Sequence, residues 1–579
     1  MTTPRVSSSA VFVLLLLGIR GTAEGADEAD LILHRGKVVT VDGGFSIRQA
    51  LAVKGDRLLR VGTDEEVLRT RGPRTEVIDL GGKMVLPGLI DSHTHPTGAS
   101  LTEFDHPIPE METIADVLAY IRSRAEAARP GEWVVVRQVF ITRLKERRYP
   151  TRDELDRAAP GHPVLFSTGP DASVNTLALK LSGIGKGFRV EGPGKVETDP
   201  TTGEPTGILR NCTRYVKVDS GRSEPSGPDQ DRRLLELFAD YNAVGITSVI
   251  DRAAGGPAVE RYQRLHDSGA LTVRMGISWQ VDNLGPLDEI LGQIRRVAGH
   301  PLRKGGARLR IVGIKAFLDG GMLTGSAYMR EPWGVSRIYS IDDPAYKGVL
   351  FIPRDRLVPM VRAAVESGMQ FTAHSVGDGA VHALLDAYEE VNRTTPVAPT
   401  RPCLTHSNFM SREAIAQAAR LGVVVDIQPA WLYLDAGTLL AQFGDDRLRY
   451  FQPLRSLFAA GVVAGGGSDH MQKIGSLRSI NPYNPFLGMS VAITRRAKGS
   501  DTPLHPEESL SREQAIRLYT TNNARLLFLE DRIGSIEEGK QADLVVVDRD
   551  LLTCPESEIA GARALATYLD GRRVFERRD

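Results

Sequence analysis

Two histidines one residue apart, His93 and His95, end the run of residues 86–95 (LPGLIDSHTH). On an extended strand, residues two apart face the same side, so both imidazoles can point inward together. Two neutral imidazoles on one face can grip a single divalent cation. Asp91 is in phase with them and could orient an imidazole from behind or lie below the ion. An isolated His-x-His is a weak signal, so further donors are needed.

The chain offers them in order. Lys315 sits inside the apolar run 311–319 (IVGIKAFLD), where a charged ammonium is costly to bury. It could equally snorkel from a strand end or pair with a carboxylate. His374 closes residues 370–374 (QFTAH) and His406 closes 403–406 (CLTH), each just ahead of a loop. Asp469 ends the small-residue run 462–470 (VVAGGGSDH), a place for a proton carrier or for a helix N-cap. His470 would face the other way, as a substrate contact or a structural residue. Gln428, Trp431 and Arg330 are pocket candidates by position. Strand-end Asp251, Asp319 and Asp426 also keep open a carbohydrate hydrolase built on paired carboxylates. Cys212, Cys403 and Cys554 are far apart and form no CxxC pair, so thiolate zinc knuckles and a disulfide framework are excluded.

Strand ends of this kind need a scaffold that gathers them. Between residues 87 and 530, apolar runs alternate with helix-like stretches. The strand candidates are 133–137, 163–167, 246–251, 272–279, 309–318, 370–374, 403–406, 423–428 and 462–466. Near-continuous apolar strands alternating with helices predict a parallel sheet buried on both faces. The spacing fits an α/β (β/α)₈ TIM-like barrel with insertions, whose active site lies at the strand C-termini. No GxGxxG follows an early strand, so a dinucleotide cofactor is not expected. Residues 186–231, rich in Gly, Pro and acidic residues, read as an inserted excursion. Short alternating strands before residue 86 and after residue 531 predict a small β-sandwich domain built from both chain ends. The expected division is therefore 1–26 signal peptide, 27–86 sandwich, 87–530 barrel and 531–579 sandwich.

Arg5 and the apolar run 10–19 (AVFVLLLLGI) precede small residues at 21–23. That pattern predicts a cleaved export signal and a periplasmic or extracellular protein, with an uncleaved anchor as the alternative. Nothing later is long and apolar enough to span a membrane. Lys plus Arg equals Asp plus Glu at 72 each, so no net field favours nucleic acid or an anionic lipid surface. A small-molecule substrate is the expected partner, and a homo-oligomer is left open.

The segments VLPGLIDSHTH (85–95) and GSIEEGKQADLVVVD (534–548) resemble the opening barrel strand and the returning sandwich strands of the amidohydrolase superfamily. More closely, residues 30–575 resemble the amidohydrolase family 3 branch, which includes N-substituted formamide deformylases. The resemblance implies a hydrolase cleaving a non-peptide carbon–nitrogen bond with metal-activated water. It implies metal ligation by His93, His95, Lys315, His374 and His406, with a carbamylated lysine bridging two ions. Asp469 would shuttle the proton. One or two divalent ions are implied, zinc foremost, with Mn, Fe or Ni able to take the same geometry. A degenerate member that binds a small molecule without turnover is the alternative. The chain departs from the branch in two places. Residues 167–175 (STGPDASVN) lack a His common there, and residues 205–209 (PTGIL) are followed by Arg210 and Asn211 rather than Glu.

Overall fold

The computed structural model describes residues 1–2, 28–137, 139–219 and 225–578. The expected export signal falls outside those residues. Eight strands form the centre of the molecule: β1 (Leu89–Thr94), β2 (Ile246–Ala254), β3 (Arg274–Gln280), β4 (Leu309–Phe317), β5 (Gln370–Ser375), β6 (Cys403–His406), β7 (Val424–Ile427) and β8 (Ala464–Gly466). Each pairs in parallel with the next. Just past β8 the chain runs beside β1. The Asp469 amide donates to the His93 carbonyl at 2.8 Å, and the His95 amide to the His470 carbonyl at 2.8 Å. These bonds bring the two edges of the sheet together as a TIM-like barrel. Gly467 permits the approach, because a Cβ there would lie 2.8 Å from Ser92 Oγ and 2.9 Å from His93 N.

The strands are buried on both faces, β4 along almost its whole length, as helices cover a parallel sheet. The helix Arg412–Leu421 shows how such covers are delimited. Ser411 Oγ accepts from the Ala414 amide, and Gly422 ends the helix at φ +66°, each cap supplying about 1 kcal/mol. Its buried stripe is Ala414, Ile415, Ala418 and Leu421, the three-and-four spacing that faces a core.

Two of the expected barrel strands belong elsewhere. Val134–Arg137 and Val164–Ser167 pair in parallel with each other, but they lie in a separate five-stranded sheet with Ala172–Val174, Pro205–Arg210 and Lys195–Thr198. Locally they read as a strand–helix–strand unit, which is why apolar runs alone could not exclude them from the barrel. Part of the excursion at 186–231 completes the same sheet.

Both chain ends meet in two further sheets. One has the order Arg57–Gly62, Ala50–Lys54, Ala29–His34, Arg71–Asp79. The other joins Arg572–Glu576, Ala564–Leu569 and Leu544–Val547 to Met84–Pro87, Lys37–Val39 and Ile47–Arg48. Leu33, Leu51, Val38, Val85, Leu544 and Tyr568 form one apolar core between them, the face-to-face packing of a sandwich. Arg274 on β3 ties that layer to the barrel through Asp543, Nε to Oδ2 at 2.6 Å, both buried. Among the described residues, no helix is long and apolar enough to cross a membrane.

Candidate metal centre

The C-terminal ends of β1, β4, β5, β6 and β8 surround one cavity of about 440 Å³. His93 and His95 come from β1 and the residue following it, so strand periodicity aims both rings inward as expected. Their Nε2 atoms lie 3.2 Å apart. Asp469 Oδ1 sits 3.0 Å from His95 Nε2 and 3.2 Å from His93 Nε2. Donor atoms of these three residues all fall within 4.8 Å of one another, close enough to share one cation.

His374 on β5 and His406 on β6 join them. The His374 and His406 ring centroids are 4.4 Å apart, and those of His93 and His406 are 4.8 Å apart. Lys315 on β4 lines the same cavity. Its Nζ is buried and makes no hydrogen bond, an expensive state for an ammonium. All six residues of the expected metal and proton-carrying set therefore converge on one space. His406 and Asp469 do so from left-handed backbone, φ +74° and +55°, a region that side-chain-bearing residues hold at a cost of about 1 kcal/mol or more.

The electrostatics favour imidazole lone pairs at three of the four histidines; at His95 burial pushes the same way, but the hydrogen bond and charge of Asp469, with the charge of Asp251, raise it above the ordinary imidazole value. Burial, reinforced by Lys315, holds His93 well below the ordinary imidazole value and pushes His374 down to about 3. Burial does the same to His406, with His374 adding to it. Neutral rings are the form that binds a cation. Burial also pulls the Lys315 amine down to about 8, against the charges of Asp426 and Asp469. It raises the Asp469 carboxyl, against the hydrogen bond with His95. Neutral imidazoles at His93, His374 and His406, with His95 and an easily deprotonated Lys315 nitrogen beside them, form a donor set that fits a divalent ion.

Behind the donors lies a buried polar layer. His93 Nδ1 is 3.0 Å from Asp426 Oδ1, and Asp426 Oδ2 is 3.1 Å from Arg252 Nε. His406 Nδ1 meets Gln428 Oε1 at 2.8 Å, while Gln428 Nε2 donates to Asp426 Oδ1 at 2.8 Å. Gln428 thus faces a histidine and a carboxylate, not the cavity, which corrects the expectation of a substrate contact. Asp91 accepts from the His93 amide at 2.9 Å and the Ser468 amide at 3.0 Å, bracing the β1–β8 join. Asp319 accepts from the amides of Tyr328, Val376 and Gly377.

Trp431 lines the cavity and stacks on His406 with ring centroids 5.0 Å apart. His470 does not reach the cavity. Its Nδ1 meets the Tyr241 hydroxyl at 2.8 Å and its Nε2 the Lys473 carbonyl at 2.7 Å, so both nitrogens are engaged inside the fold. Arg330 is exposed and approaches His382, outside the cavity wall. Asp251, bound by the Tyr262 hydroxyl at 2.7 Å, and Asp426 are also outside that wall, which removes two of the three carboxylates a glycosidase arrangement would draw on.

The sequence reasoning missed Arg252 and most of the wall. Phe140, Thr168–Pro170, Phe317, Met322 and Leu323 all line the cavity. Thr168–Pro170 comes from the five-stranded sheet, held down by Asp171, whose Oδ2 accepts from Thr324 Oγ1 and Ser326 Oγ. Asp171 stands in the loop where the branch histidine is missing, so the departure has a structural partner on the 319–328 loop.

A profile of the amidohydrolase family matches residues 76–575. The chain is 30% identical over 568 residues to an N-substituted formamide deformylase of Arthrobacter pascens, covering 95% of this chain and 98% of that protein. Among solved structures, a metal-dependent hydrolase from Pyrococcus horikoshii superimposes with TM-score 0.65 at 21% identity, over 91% of this chain and all but 1% of its own. One from Pyrococcus furiosus gives 0.64 at 23% identity, over 90% of this chain and 100% of its own. The two structures speak to the fold.

Proposed function

This chain belongs to the amidohydrolase family, hydrolases of carbon–nitrogen bonds, and from that premise we propose that it cleaves a small non-peptide amide, a formamide foremost, with Asp469 as its proton carrier. A divalent ion bound in the centre, zinc by the nature of its donors, supplies Lewis acidity to water and to the substrate carbonyl. His93, His374 and His406 would hold it as neutral ligands, and His95 would join them once the ion takes the place of its proton. Lys315 would serve as a carbamate: its amine, once deprotonated, adds carbon dioxide and releases a proton, turning a nitrogen without a hydrogen bond into an anionic oxygen donor. Asp469 takes the proton from the attacking water and returns it to the departing nitrogen. Trp431 and the loop walls position the amide and exclude bulk water.

The observation that carries this reading is the convergence of four imidazoles, an unpartnered buried lysine and one carboxylate on a single cavity. The Arthrobacter relative supports formamides as the first substrates to try. The test is a panel of formamides, cyclic amides and N-acyl amino acids offered to zinc-loaded protein. Release of amine from at least one class supports hydrolysis; binding without release across the panel favours the non-catalytic alternative. Export directed by residues 1–26 belongs to the same proposal, and N-terminal sequencing of the secreted protein would check it.

A further inference from the structure

The walls of the cavity above the metal-facing groups are neutral. Phe140, Phe317, Met322, Leu323, Trp431 and Met471 make up its apolar lining. Among the described residues that line it, Lys315 is the sole lysine and no arginine is present. The two lining carboxylates have other engagements: Asp319 accepts three backbone amides, and Asp469 faces His93 and His95. The nearest buried guanidinium in the polar layer, Arg252, is taken up by Asp426 and by the Ser92 carbonyl. Away from the metal-facing groups, where Lys315 stands, a substrate carboxylate would meet no cationic side chain in the wall, and a charge desolvated without a partner is strongly disfavoured.

We infer that the group flanking the scissile amide is uncharged and apolar, and that the cavity selects neutral amides over amides of amino acids. The inference rests on the hydrolytic reading of the centre and deepens it. A space of about 440 Å³ is within the ordinary range for small ligands.

A matched pair separates the two substrate classes: the N-formyl derivative of 2-phenylethylamine and N-formylphenylalanine, which differ only by a carboxylate. Two readouts are taken on the full chain. One is kcat/KM with zinc-loaded protein. The other is quenching of tryptophan fluorescence in metal-free protein, with Trp431→Phe as the control for Trp133, Trp279 and Trp333. We expect the neutral amide to be preferred by on the order of 100-fold in both. Met471→Lys, which sets a cation in the half-buried part of the wall, should shrink that preference at least about tenfold. Preferential binding of the neutral amide without turnover of either would uphold the selectivity and sink the hydrolytic reading instead. Equal or reversed preference, or no binding of either compound, overturns the inference.

Discussion

Asp426 Oδ1 and His93 Nδ1 meet at 3.0 Å, and neither side chain is more than 1% exposed. The contact fixes which face of the imidazole is left for a cation: with Nδ1 turned to the carboxylate, Nε2 points into the cavity. Arg252 holds the other carboxylate oxygen, so the ring is oriented by a buried ion pair rather than by a mobile acid. Carboxylates behind metal-bound histidines commonly set affinity by 10–100-fold, on the order of 1–3 kcal/mol.

Asp426→Asn should therefore weaken metal binding by about 10–100-fold. It should also lower stability, by roughly 3 kcal/mol, because Arg252 is left as a buried charge without its partner. Equilibrium dialysis against a metal buffer and a denaturant melt read the two effects separately. Unchanged metal affinity would mean that the contact does not orient a ligand.

Asp469→Asn should keep its metal and lose turnover, by about 10²–10⁴-fold in kcat, the range for removing a general base and acid. Metal retention is expected because His93, His95, Lys315, His374 and His406 are untouched. Metal analysis beside steady-state kinetics is the check. Loss of the metal itself would recast Asp469 as a ligand, a role its position between the two β1-side imidazoles also permits.

Asp171→Asn addresses the roof. The carboxylate gathers Thr324 and Ser326 under the loop that carries Thr168–Pro170 into the cavity wall. Weakening that grip should raise KM by about tenfold, with kcat and metal content nearly preserved, as for a group that acts through substrate binding alone. A fall in kcat at constant KM would place Asp171 nearer the chemistry than the geometry does.

How far the sequence carried can be judged residue by residue. Strand periodicity made the inward direction of His93 and His95 legible, whereas Lys315, His374, His406 and Asp469 were legible as a set through the family resemblance, since a lone polar residue in or beyond a strand says little by itself. The strands at 134–137 and 164–167 misled because parallel pairing leaves the same local pattern whether the partner is the barrel or a separate sheet. Arg252 was hidden because it follows directly on Asp251 within β2, where nothing local singles it out, and its partner Asp426 comes from β7, far along the chain. Gln428 was placed beside the site but wrongly aimed, since facing direction beyond a strand end depends on loop backbone, whereas His470 faces away from the cavity as its position next to Asp469 suggested. The apolar wall was missed because 318–325 (LDGGMLTG) reads as a glycine-rich turn, and only tertiary contacts bring Met322 and Leu323 over the metal-facing groups.

The account depends most on whether those groups act together through one bound cation. The direct measurement is the rate of amine release from a neutral formamide before chelation, after removal of the metal, and after reloading with zinc, read beside the metal content at each stage. We expect activity to vanish on removal and return on reloading, with the far-ultraviolet circular dichroism unchanged throughout because the barrel core is apolar and independent of the site. Full activity in protein shown to be metal-free would contradict the account.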